Sequence, residues 1–182
     1  FIDAKRHWNG RGQGYQPPAG QSLIKNAAGV PFGVLAKTDA AWPQTFLRKD
    51  NQQLPPLAGG YFFKGYSLSG EERIPTFRYT FGDLAIEDSP LPKGSSESAD
   101  AAFVRTIKIT GKPVNNLYFR AAVADAIDPG ENGTFAIGDS LILSLKSSGK
   151  PIIRDAGGSK ELLVPVEFRN NAAIIEQIIS WQ

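Results

Sequence analysis

A chain of 182 residues, with 20 basic against 18 acidic side chains, carries a formal net charge of only +2. That length suits one domain that can bury its own core without a disulfide or structural metal, and the near balance of charge, with no basic block or stripe, argues against a nucleic-acid surface as the main partner. Cysteine is absent, which removes disulfides, thiolate catalysis, zinc–thiolate sites, iron–sulfur clusters and covalent haem attachment within this chain.

Methionine is absent too and the chain opens on Phe1, so it reads as an excised domain or processed fragment from which any signal peptide is gone. The longest apolar runs are far too short to cross a bilayer, and no membrane span is expected.

In chain order, residues 1–58 read as an irregular N-terminal arm packed on a body of strands over 59–182, the whole forming a single domain. Phe1–Trp8 is compatible with the tail of a strand. Asn9-Gly-Arg-Gly-Gln-Gly14 then breaks any periodicity, and Tyr15-Gln-Pro-Pro18 continues as extended loop. Pro31–Ala36 has the pattern of one short strand, and Pro43 pushes Trp42 out of the helical region.

The densest β-pattern follows. Tyr61–Leu68, Pro75–Phe81 and Leu84–Asp88 read as strands, with Phe77, Tyr79 and Phe81 at the alternate positions of a half-buried strand. A two-residue Gly82-Asp83 turn suits a hairpin because glycine tolerates positive φ. It would set Phe81 opposite Leu84, Tyr79 opposite Ile86 and Arg78 opposite Glu87, an apolar face plus a cross-strand ion pair.

Leu91–Ala101 reads as a polar, flexible connection. Phe103–Thr110 alternates again, with Phe103, Ile107 and Ile109 inward and Lys108 outward. Leu117–Val123 is a further strand, Asp125–Gly133 a loop and Gly138-Asp139 a turn. Leu141–Leu145, Pro151–Arg154 and Lys160–Phe168 continue the run. The final AAIIEQIISWQ fits either period, but four isoleucines suit a pleated surface better than a helix. As a strand it puts Ala173, Ile175, Gln177, Ile179 and Trp181 on one face. Short strands, Gly/Pro turns and no convincing amphipathic helix predict an all-β fold, an antiparallel β-sandwich with a long irregular N-terminal segment.

Residues with chemical potential are few. His7 is the only histidine, so a Ser-His-Asp triad would have to use it, yet there is no Gly-x-Ser-x-Gly elbow. Its other role would be one ligand to a site shared with another domain. Glu87 and Asp88 look like paired carboxylates for glycoside hydrolysis, but neighbours on a strand point to opposite faces and cannot line one cleft. Glu71-Glu72 reads as part of a hairpin turn beside Arg73, where a solvated role is expected. Asp125, Asp128, Glu131, Asn132 and Asp139 form an oxygen-rich stretch with calcium-ligand chemistry, although the spacing matches no EF-hand and the same residues build ordinary turns. His7, Trp8, Asn9, Arg11 and Tyr15, with Trp42 near them, combine aromatics, amides and a guanidinium that can stack on a sugar ring and orient its hydroxyls. A loop packing Trp8 onto the sandwich edge would use the same residues.

Two segments carry a family likeness. Phe1-Ile-Asp-Ala-Lys-Arg-His-Trp-Asn-Gly-Arg-Gly, followed by Phe63-Lys-Gly-Tyr-Ser-Leu and Arg73-Ile-Pro-Thr-Phe-Arg-Tyr, resembles a region of large secreted bacterial proteins: multidomain c-type cytochromes and PQQ-dehydrogenase-like proteins of planctomycetes and related bacteria. The resemblance covers about the first half of the chain. It implies an accessory domain, periplasmic or extracellular, whose partners are neighbouring domains of the same polypeptide. Haem c or PQQ would sit in those neighbours, since this chain has no Cys-x-x-Cys-His and no propeller repeats. The leading expectation is a non-catalytic binding or docking module with glycans as candidate ligands. Its alternatives are a catalytic domain hydrolysing glycans with carboxylates from separate strands, an electron-transfer accessory contributing His7, and a spacer between redox domains.

Overall fold

The structure, a computed structural model, describes residues 29–43, 60–71, 73–94 and 101–181. Among them the chain forms twelve strands: β1 (Phe32–Val34), β2 (Tyr61–Ser69), β3 (Ile74–Phe81), β4 (Leu84–Lys93), β5 (Ala102–Thr110), β6 (Leu117–Ala124), β7 (Ile127–Pro129), β8 (Thr134–Ile137), β9 (Leu141–Lys146), β10 (Ile152–Ala156), β11 (Ser159–Pro165) and β12 (Ala172–Trp181). They make two antiparallel sheets, a four-stranded one in the order β1-β6-β11-β10 and an eight-stranded one in the order β2-β3-β4-β5-β12-β9-β8-β7. The two pack together as the expected β-sandwich. No helix among the described residues is long and apolar enough to cross a membrane.

The large sheet is two meanders joined by the last strand. β12 runs between β5 and β9 and pairs with both. Its alternation is the one expected: Ala173, Ile175, Gln177 and Ile179 are buried while Ile174 is exposed. A central strand with one face in the core has no freedom to slip by one residue, since a slip would expose every isoleucine it buries.

The β3–β4 hairpin also takes its expected register, with Phe81 opposite Leu84, Tyr79 opposite Ile86 and Arg78 opposite Glu87. Gly82 adopts the positive φ, 56°, that the tight turn needs. Inward-facing Tyr79, Leu84, Ile86, Ile107 and Ile109 meet Phe32, Phe119, Leu162 and Val164 of the small sheet in one core. Phe32 and Phe119 lie with ring centroids 5.4 Å apart in a tilted pair.

Several elements differ from the sequence-based expectation. The predicted connection Leu91–Ala101 starts too early, because Leu91–Lys93 continue β4 and pair with Ala102–Val104. Prolines at 90 and 92 disguise that strand, but β4 pairs with β3 only as far as Asp88, so no second ladder is interrupted. The loop predicted over Asp125–Gly133 contains β7, and β8 follows it. Both are too short to register as periodic runs. The short strand expected over Pro31–Ala36 does form, as Phe32–Val34, and pairs with β6 at the edge of the small sheet.

The sheets are tied by polar links as well as by apolar packing. On β6 the register with β11 skips Ala121, a bulge that frees its carbonyl from the ladder. Gln177 reaches from the opposite sheet and donates its side-chain amide to that carbonyl at 3.0 Å. At one margin the sandwich is closed by β7, whose Ile127 joins the common core and which approaches β11. Four strands cannot cover eight, and among the described residues none covers the opposite margin of the large sheet, at β2.

Candidate ligand-binding site

The bare margin is built by a parity change in β2. Tyr61 and Phe63 lie opposite Phe81 and Tyr79, so they share the inward face with them. The register then shifts between Phe63 and Gly65, a β-bulge that admits Lys64 as an extra residue. Gly65 sits at φ 104°, a conformation that L side chains rarely adopt. Beyond the bulge Tyr66 faces Phe77 and Leu68 faces Pro75, so these even-numbered residues take the inward face too. One extra residue thus puts Phe63, Tyr66 and Leu68 in a line on the same side of the sheet.

These side chains face inward but nothing among the described residues covers them. Phe63 and Tyr66 are 62% and 61% exposed, and Leu68 is 41% exposed. Phe77 supports Tyr66 from below, with ring centroids 6.1 Å apart. Phe62, on the outward face, is 41% exposed and carries the Lys64 ammonium 5.6 Å from its ring centroid. Apolar exposure of this density on a single strand marks an interaction surface more often than chance scatter.

Where the uncovered shelf meets the core sits a buried ionic cluster. Asp88 continues the cross-strand row that starts Tyr66–Phe77. Arg105 Nε donates to its Oδ1 at 2.8 Å while Nη2 donates to Oδ2. Tyr79 Oη donates to Oδ2 at 2.8 Å. Burial would lower the Arg105 pKa, but the Asp88 hydrogen bonds and charge hold it above its ordinary value. Burial, and after it the Asp88 charge, push Tyr61 up to about 12 and move Tyr79 well above the usual phenol range. The Asp88 carboxyl oxygens are thus taken by strong donors, which is a structural arrangement.

Glu87, next in sequence, lies on the opposite face with Arg78 at 3.4 Å and Lys108 at 3.9 Å, as strand alternation demands. The other buried acid, Glu161, is on the outer face of the small sheet between two arginines. Arg120 Nη1 donates to Oε1 at 3.0 Å and Arg154 Nε donates to Oε2 at 2.7 Å. Arg154 also donates to the carbonyls of Thr38 and Ala40, fastening the 37–42 loop over the triad. An open groove of about 410 Å³ between residues 113–118 and 165–168 holds one carboxylate, Glu167, among its lining residues. Glu167 is the one acidic residue lining that groove, and glycoside hydrolysis requires two.

His7, Trp8, Asn9, Arg11 and Tyr15 lie outside the described residues. Trp42 is described, and it is packed: 8% exposed, its Nε1 donating to Val30 O at 3.0 Å and its ring under the Arg120 guanidinium at 4.8 Å. With Leu35 and Leu163 it forms a small second core on the outer face of the small sheet. A ring held this way has no broad face for a sugar. Asp125, Asp128, Glu131 and Asn132 are strung along the β7–β8 hairpin, with Asp125 before β7 and Glu131 and Asn132 in the turn beyond it. The Glu131 carbonyl accepts from Thr134 N at 3.0 Å and Thr134 Oγ1 at 2.7 Å, which is turn chemistry. Among the described residues no group of three or more metal-ligating side chains converges.

The shelf was absent from the sequence-based candidates. The signal that could have found it is the switch from odd to even apolar positions across Lys64-Gly65. Comparison of the chain with protein-family models, with curated proteins and with solved structures finds no match.

Proposed function

We propose that this domain is a non-catalytic, extracytoplasmic binding or docking module of a larger redox or carbohydrate-active protein. The observation that carries the reading is the apolar line Phe63–Tyr66–Leu68 on β2, exposed and covered by none of the described residues. Support also comes from the two buried acids, Asp88 and Glu161, each held by arginine on a different sheet. A surface that gains by losing water, beside buried carboxylates whose oxygens are taken up by arginine, suits holding better than turnover. Its partners on this reading are neighbouring domains of the same polypeptide or a glycan, and any haem c or PQQ belongs to those neighbours.

A photoreactive amino acid placed at position 66 of the natural polypeptide tests this. Adducts to a neighbouring domain or to a glycan are the expected result. Release of new reducing ends from a glycan by this chain alone would overturn the non-catalytic reading, and adduct-free protein after full photolysis would overturn the docking reading.

A further inference from the structure

We infer that the groove at the end of the small sheet, between residues 113–118 and 165–168, binds a small organic cation: an alkylammonium or guanidinium with an apolar body. The site lies on the other sheet from β2, and the docking reading does not depend on it. The first argument is why the groove exists. β6 and β11 pair as far as Tyr118 and Pro165, and one more bond, from Val166 N to Leu117 O at 2.9 Å, closes the floor. There the walls part. Asn116 takes a positive φ of 56°, and its carbonyl accepts from Leu35 N at 3.0 Å, on the β1 side. One wall is thus hydrogen-bonded away from the other. The opening of about 410 Å³ falls within the roughly 300–1,000 Å³ of small-molecule sites. Its walls are held in place, since Val114, Val166 and Phe168 pack on the main core and Tyr118 packs on the Leu35–Trp42–Leu163 cluster. A ligand therefore meets a surface formed before it arrives.

The second argument is the balance of donors, acceptors and charge. Pro113 and Pro165 bring no N–H to the walls, and Val166 N already donates to Leu117 O. The side chains add acceptors: the Glu167 carboxylate and the amide oxygens of Asn115 and Asn116, all on exposed residues. No lysine or arginine lines the groove; the nearest bases in sequence, Lys112 and Arg169, stand one residue beyond its walls. Among the described residues Glu167 makes no ion pair, whereas Glu87, Asp88, Glu161 and Glu176 each have a basic partner. A lining with one unpaired negative charge complements a group that only donates, and ammonium and guanidinium are such groups.

The third is the pair of aromatic rings, Tyr118 on one wall and Phe168 on the other. Such rings attract a cation through their electron-rich faces and shed water against its apolar stem. A metal ion fits less well, because it calls for several oxygen ligands and Glu167 is the one carboxylate in the groove.

Titration of the isotope-labelled chain with phenethylammonium, phenethyl alcohol and hydrocinnamate, followed in amide correlation spectra, tests the inference. The three probes share a phenyl body and differ in the charge of the head group. Phenethylammonium should shift the amides of residues 114–118 and 166–168 and saturate at about millimolar concentration. Phenethyl alcohol should bind more weakly and hydrocinnamate should not bind. Glu167→Gln should weaken phenethylammonium binding about fivefold. Asp139→Asn, at an exposed acid in the β8–β9 turn, should leave it unchanged. Unaltered melting curves would show that both variants fold. Equal binding of the alcohol or of hydrocinnamate, shifts centred away from the groove, unchanged affinity in Glu167→Gln, or no saturable shift would each overturn the proposal. None of these outcomes bears on crosslinking from position 66, so the two readings stand or fall separately.

Discussion

Arg105 holds Asp88 through two nitrogens across adjacent strands of the large sheet, and Tyr79 completes the shell of the carboxylate. The pair separates a dry core from an aromatic shelf open to solvent. Removing one partner leaves a buried charge uncompensated, whereas replacing both with apolar groups removes the desolvation cost as well. Asp88→Ala is therefore expected to destabilise the fold by about 3–5 kcal/mol, with Asp88→Leu/Arg105→Met recovering most of that loss. Urea denaturation of the three proteins checks it; equal stability of single and double variants would contradict it.

The same cluster predicts an alkaline limit. Tyr61 and Tyr79 titrate above the ordinary phenol value of about 10, Tyr61 at about 12. Above pH 10 the unfolded chain sheds phenolic protons that the native chain keeps, so stability falls as pH rises. The contribution is complete below about pH 10 and is lost as pH climbs through the native values. Urea midpoints followed between about pH 8 and pH 11 should decline only in the upper part of that range, and Tyr61→Phe should soften the decline.

Gly65 is where the shelf is set. A Cβ there would meet no atom within 4 Å, so substitution is opposed by the backbone alone, at φ 104°. Gly65→Ala should lower stability by about 1 kcal/mol or more. If the bulge is lost, Tyr66 and Leu68 move to the other face. Thermal melts give the first effect. Loss of the adducts formed from position 66, with the melt still cooperative, gives the second.

Glu161 is expected to control the 37–42 loop. Glu161→Gln removes the anion between Arg120 and Arg154, and Arg154 is the group that grips the Thr38 and Ala40 carbonyls. Faster amide exchange in residues 37–42, with exchange in β12 little changed, is the predicted pattern. Uniform acceleration across both sheets would mean that the triad supports the whole fold instead.

Local alternation carried much of this architecture. The β3–β4 register and the face of β12 were legible because each rests on neighbours in sequence or on a strict period of two. The outward placement of Glu87 against Asp88 followed from the same period. What stayed hidden depends on distant chain. Asp88 finds Arg105 on the next strand and Gln177 finds a carbonyl on the other sheet, and no local pattern announces either contact. The switch from odd to even apolar positions across Lys64-Gly65 marks the shared face of Phe63 and Tyr66, but their exposure depends on the width of the facing sheet, which no local pattern carries. Trp42 shows the converse: an aromatic in an irregular segment, read as a ligand platform, is buried under an arginine.

The most direct test of the central claim, that function resides on the uncovered β2–β3 face, is hydroxyl-radical footprinting of side chains. Phe63, Tyr66 and Leu68 should oxidise readily in the isolated chain. They should be protected severalfold in the natural polypeptide, while exposed Val123 and Ile174 react at the same rate in both states. Equal reactivity of Phe63 and Tyr66 in both states, or protection confined to Val123 and Ile174, would contradict the account.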